Sequence, residues 1–176
     1  MSSSSSEHNN RARKQAEAQL ETVVQYVHRL RHTEECGGAG ECSATDEEIL
    51  SALGFSSESL ARAARSMEAF IEALREQYHD REDALEYIYD LPLEICVRTG
   101  WEPVGGPRER LANEYYILLC TGGPAVRIWG RLDDYREPCM AVLEYQDWFT
   151  EWEPYTGHQH KSELLKFAGC FSYNMP

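Results

Sequence analysis

The sequence predicts an α+β protein in which N-terminal helices precede a four-stranded, mainly antiparallel sheet and a C-terminal helix. Three observations predict it. Apolar residues recur at three- and four-residue spacing as far as Tyr78, alternate singly from Leu93 to Tyr145, and return to helical spacing from Ser162 to Phe171. A chain of 176 residues with 42% hydrophobic content has enough apolar surface for one compact domain. Within it we expect a disordered tail over 1–10, a helical region over 11–90 and a sheet with its helix over 91–176.

The tail, with five consecutive serines, has almost nothing to bury. From about Arg11 a helix is expected, because Leu20, Val23, Val24, Val27 and Leu30 form one apolar stripe that ends near the glycines at 37, 38 and 40. Thr45 followed by Glu48 matches a capping box and opens a short helix through Leu53, with Gly54 as its stop. A longer helix follows from Leu60 to Tyr78, with Ala63, Met67, Phe70, Ile71 and Leu74 on one face and Arg62, Arg65, Glu68, Glu72 and Arg75 on the other. Asp80 caps a further short helix containing Leu85 and Ile88, which ends before Pro92 because the residue preceding proline avoids helical geometry.

Beyond Pro92, Leu93, Ile95 and Val97 alternate with Glu94, Cys96 and Arg98, the pattern of a strand with one buried face. Glu114–Cys120, Ala125–Leu132 and Cys139–Tyr145 are the next three strands. Thr121, Gly122, Gly123 and Pro124 span a gap suited to a hairpin, and Asp133–Asp134 near Pro138 marks the following turn. Leu164, Leu165, Phe167 and Ala168 then give a last helix an apolar side with which to cover one face of the sheet.

Charge narrows the function. The net formal charge of −13 excludes a nucleic-acid backbone or an anionic membrane as the natural partner and favours a basic protein surface. Residues 1–32 carry more bases (Arg11, Arg13, Lys14, Arg29, Arg31) than acids (Glu7, Glu17, Glu21), so the rest of the chain holds the whole acidic excess. No apolar run approaches the ~20 residues of a membrane span, and the start lacks the hydrophobic stretch of a signal peptide. A cytoplasmic protein is expected, with its six cysteines reduced and Cys96, Cys120 and Cys139 packed as small hydrophobes.

Four groups of residues invite a chemical reading. His28 and His32, four apart on one helix face, precede Cys36 and Cys42 in a loop, and four such ligands could close a tetrahedral structural zinc site. The other reading is a solvated helix end with a glycine-rich turn and no cofactor; the gap between the cysteines is longer than zinc knuckles use. The TGGP turn at 121–124 is read as a hairpin with glycines at positive φ, since a phosphate-cradling loop would lead into a helix N-terminus and here a strand follows. Cys170 with His158 and His160 is conceivable as a thiol–base arrangement, against which stands a plain histidine-containing loop; no nucleophile elbow is present and no catalytic residues are assigned.

The fourth group is the segment from Asp133 to Tyr155. Its acids Asp133, Asp134, Glu137, Glu144, Asp147, Glu151 and Glu153 would steer a basic partner, and Trp148 and Trp152 among its aromatics would anchor it. The competing reading buries Trp148, Phe149, Trp152 and Tyr155 beneath the last helix and leaves the acids as a solvated face.

The pieces DLPLEICVRTGW at 90–101, EYYILLCTGGPAVRIWGRLD at 114–133, AVLEYQDWFTEWEPY at 141–155 and ELLKFAGCFSY at 163–173 resemble a family of uncharacterised proteins of phages, prophages and plasmids. TGGPAVRI and LEYQDW are the specific pieces. The resemblance implies a mobile-element setting and carries over no catalytic residues. By analogy with small acidic proteins of such elements, we expect an anti-CRISPR or anti-restriction protein that binds a basic surface of a host nuclease complex and occludes it without turnover. Two alternatives are a small enzyme acting on a nucleotide or protein side chain through Arg98, Arg127, Arg131, Glu144 and Asp147, and a regulatory or scaffolding component that self-associates through its helical half.

Overall fold

A computed structural model describes residues 3–35, 80–99, 112–148 and 150–173. The helices expected at 45–53 and 60–78 lie outside these. The chain forms two compact units, residues 25–87 and residues 1–24 with 88–176.

Helix α1 runs over Ser3–Glu35. It begins well before Arg11, where the tail was expected to be disordered: once a helix is nucleated each added residue contributes its own backbone hydrogen bond, and serine is only a moderately poor helix former. The buried stripe also starts earlier than the aliphatic spacing suggested. Ala12, Ala16, Leu20 and Val23 recur at one-turn intervals and are buried in the larger unit.

Helix α2 spans Arg81–Asp90 and starts as its sequence requires, with Asp80 Oδ1 accepting from the backbone N–H of Glu82 (2.8 Å) and of Asp83 (3.2 Å). Within the 25–87 unit, Arg29 is only 4% exposed, ion-paired with Asp83 and 4.9 Å from the Tyr87 ring, which meets Tyr26 edge-on at 5.6 Å. A guanidinium buried to this degree requires that carboxylate, because an unpaired buried charge costs several kcal/mol.

The larger unit carries a five-stranded antiparallel sheet in the order β1 (Glu94–Arg98), β2 (Glu114–Cys120), β3 (Ala125–Leu132), β4 (Pro138–Gln146) and β5 (Glu153–Pro154). The fifth strand is one more than the four expected. Two residues have no alternation to read, and Pro154 fits a sheet only at an edge. Its pairing with β4 places Glu144 opposite Pro154 and Tyr145 opposite Glu153.

Alternation decides the faces of β2, β3 and β4. Tyr115, Ile117, Leu119, Val126, Ile128, Leu132, Leu143 and Tyr145 are buried on one face, where helix α3 (Lys161–Ala168) packs against β4 with Leu164, Phe167 and Ala168 inward. Strand β1 departs from the expectation of a buried Leu93–Ile95–Val97 face: Leu93 is 61% and Ile95 36% exposed. Among the described strands it has a neighbour on one side only, so a periodicity that implies burial is only half satisfied. The β2–β3 hairpin turns where TGGP predicts, and Gly122 alone of its two glycines has positive φ (100°).

Candidate functional site

The second face of the sheet is half-exposed and carries its polar chemistry. Register places Glu94, Leu118, Arg127 and Glu144 in one cross-strand row, Cys96, Tyr116, Trp129 and Val142 in the next, and Arg98, Glu114, Arg131 and Met140 in the third. Arg98, Arg127, Arg131 and Glu144 therefore share one face, as the enzymatic alternative requires. Two of the cations are already engaged. Arg127 donates from Nε (2.8 Å) and Nη2 (2.7 Å) to Glu144, both side chains being largely shielded, and its guanidinium lies 4.1 Å from the Trp152 ring and 5.8 Å from that of Tyr116. Arg98 Nε donates to Glu114 at 2.5 Å. This neutralisation weakens the case for a phosphate site.

Between β1, β2 and β3 these side chains bound a small open recess of about 120 Å³, lined by Cys96, Arg98, Tyr116, Arg127 and Trp129 among others. The Tyr116 hydroxyl donates to Glu94 at 3.2 Å. Its pKa is pushed up to about 12, first by hydrogen bonding with Cys96, then by burial and by Glu94. Tyr116 is thus a hydrogen-bond donor at neutral pH. The described cysteines Cys96, Cys120, Cys139 and Cys170 are unbridged, and Cys170 Sγ donates to the Lys166 carbonyl at 3.3 Å. His158 stacks on Tyr155 and on His160, which faces Glu163 at 3.7 Å.

The acidic and aromatic residues expected to bind a partner do not form one surface. Asp133, Asp134 and Glu137 occupy the β3–β4 loop, whereas Asp147, Trp148, Glu151, Trp152 and Glu153 follow the opposite end of β4. Eight steps of strand separate the two groups by roughly 26 Å. Glu144 lies two residues from the second of these ends, opposite Pro154, and is ion-paired with Arg127.

Asp133 organises its loop. Its Oδ1 accepts from the backbone N–H of Tyr135 (2.8 Å) and of Glu137 (2.9 Å), and the same loop holds Arg136 at a φ of 65° with its guanidinium on the Tyr173 carbonyl at 2.9 Å. Tyr135, absent from the expected set, stands 87% exposed at the tip. An aromatic residue between turn-forming acids is the signal that could have found it.

The other loop is built as tightly. Asp147 Oδ1 accepts from the Trp148 N–H (2.8 Å), the Asp147 carbonyl accepts from Thr150 N–H (3.2 Å) and Oγ1 (3.1 Å), and Gln146 Nε2 donates to the Thr150 carbonyl (2.6 Å). This framework holds Trp148 60% exposed. Trp152 is instead half-buried on Arg127, and Tyr155 lies between Tyr145, His158 and the Arg13 guanidinium. Glu151 and Glu153 are exposed, and Glu153 accepts from the Tyr145 hydroxyl at 3.1 Å. The Phe149 side chain lies outside the described residues.

Of the candidate zinc ligands, His28 is exposed and His32 half-buried on α1, while Cys36 and Cys42 lie outside the described residues. Among the described residues no three His, Cys, Asp or Glu side chains gather in a way that would hold a metal ion. No helix among them is long and apolar enough to cross a membrane. No family model, curated protein or solved structure matches the chain.

Proposed function

We propose that this chain is a mobile-element anti-defence protein of the anti-CRISPR or anti-restriction type, which inhibits a host nuclease complex in the cytoplasm by direct protein binding. One observation carries the reading: Trp148 stands 60% exposed on a hydrogen-bonded turn, with Asp147 and Glu151 close to it in sequence, in a chain of net charge −13. An aromatic fixed before the partner arrives loses little entropy on binding, and surrounding carboxylates raise the encounter rate with a basic surface. Tyr135 with Asp134 and Glu137 forms a second contact of the same kind at the far end of β4. The resemblance to phage and plasmid proteins supplies the host setting.

The test is affinity purification of the tagged chain from host lysate, followed by titration against the recovered complex. Nuclease inhibition saturating near one chain per complex, with no covalent change in the target by mass spectrometry, is expected. Recovery of no nuclease component, or full inhibition at substoichiometric amounts, overturns the proposal.

A further inference from the structure

We infer that strand β1 is a self-complementary edge through which two copies of this chain pair, joining their sheets across a two-fold axis at Cys96. Among the described strands β1 has a neighbour on one side only, β2, so its other edge presents backbone donors and acceptors without a strand beside them. The two ends of the sheet differ. At the far end β5 is two residues long and contains Pro154, which has no N–H to offer, whereas β1 is five residues long and free of proline. Leu93 and Ile95 are 61% and 36% exposed beside that edge.

The sequence of β1, Glu94-Ile95-Cys96-Val97-Arg98, selects the occupant. Antiparallel pairing of two copies about Cys96 sets Glu94 of each against Arg98 of the other and Ile95 of each against Val97 of the other. Both oppositely charged pairs and both aliphatic pairs then fall directly opposite, the arrangement that stabilises antiparallel ladders. Alternation puts Glu94, Cys96 and Arg98 on one face, so the ion pairs flank Cys96, and the four aliphatic side chains gather on the other. Glu94 and Arg98 stay reachable: both residues are exposed, and the Arg98 side chain is 73% exposed despite its contact with Glu114. A register slipped by one residue would lose the charge pairing and move each side chain to the wrong face. A partner strand of arbitrary sequence has no such match.

Size-exclusion chromatography with light scattering, at physiological ionic strength where a Debye length of roughly 8 Å screens the repulsion between two acidic chains, should give a concentration-dependent species of twice the 20.2 kDa chain mass. Glu94→Arg or Arg98→Glu each places like charges opposite one another twice per dimer, and each should weaken dimerisation about tenfold or more. The double swap Glu94→Arg/Arg98→Glu restores opposite charges and should restore the dimer. Mild diamide oxidation of the wild-type chain should join two copies through Cys96, each disulfide forming as two thiols give up two electrons and two protons to the diazene, and peptide mapping should find Cys96 linked to Cys96. That measurement needs no variant to fold. A chain that stays monomeric, a dimer indifferent to both single swaps, a double swap that fails to recover in a protein whose melting matches wild type, or cross-linking confined to other cysteines overturns the inference.

Discussion

Replacing Gly130 by alanine should destabilise the protein more than any other single added methyl group in the sheet. Gly130 lies within β3, two residues from its end, opposite Tyr115 on β2 and Ala141 on β4. The Tyr115 side chain crosses the space a side chain at 130 would fill, donates its hydroxyl to the Met140 carbonyl at 2.9 Å, and packs on Tyr173 at 4.7 Å between ring centres. An ideal Cβ at 130 falls 1.9 Å from that carbonyl and 2.5 Å from the Tyr115 Cζ and hydroxyl oxygen. A backbone carbonyl in a hydrogen-bonded ladder does not swing aside, so strand and ring must both shift. Overpacking of this kind costs about 1–3 kcal/mol, and the displaced tyrosine hydrogen bond adds about 1 kcal/mol. The expected loss of about 2–4 kcal/mol corresponds to a fall in Tm of roughly 5–15 °C for a chain of this size. Urea denaturation followed by circular dichroism and fluorescence measures it. Gly123→Ala is the internal control, since its Cβ meets only Trp148 Nε1 at 3.9 Å and should change stability by less than about 0.5 kcal/mol. Tyr115→Phe, which keeps the ring and removes the hydrogen bond, should cost about 1 kcal/mol. If Gly130→Ala is as mild as Gly123→Ala, the crossing of Tyr115 over β3 is wrong.

Trp148→Ala should leave stability within about 1 kcal/mol of wild type and cost about 2 kcal/mol or more of partner affinity; Trp152→Ala should instead lose about 1–2 kcal/mol of stability with its packing on Arg127. Melting measured beside binding separates the two, and equal melting of both variants would remove the distinction. Asp133→Ala should destabilise by about 1–2 kcal/mol, because two backbone N–H groups lose their acceptor, whereas Asp134→Ala, at an exposed neighbouring position, should cost under about 0.5 kcal/mol. In alkaline titration, Tyr115 and Tyr173 should stay protonated well past the ordinary tyrosine range, burial being the main cause in both, and Tyr116 should ionise near pH 12. Each folded value lies above the unfolded one of about 10, so their contribution to stability is complete below that pH and is lost as pH rises through the folded values. Phenolate absorbance appearing at full amplitude near pH 10 in a still-folded protein would contradict this.

The α+β class, the capped start of α2 and the bounds of β2 and β3 were legible in the sequence, because each rests on local physics. An Asx cap, a proline that forbids helix and a period of two act within a few residues of where they are read. The partner of each element, and so its degree of burial, was decided elsewhere. Leu93 and Ile95 alternate like core residues, yet β1 lies at a sheet edge and leaves them open. Trp148 and Trp152 are indistinguishable in composition, but one rides a turn built by Asp147 and Thr150 while the other rests on a guanidinium contributed by β3. The acids from Asp133 to Glu153 read as one run, and an extended strand carries their two ends roughly 26 Å apart. Gly130 gives no local reason for its presence; only Tyr115, brought opposite by strand pairing, supplies one. Periodicity tells a residue which way to face. What it faces depends on pairings between distant segments, and these exist only once the chain has folded.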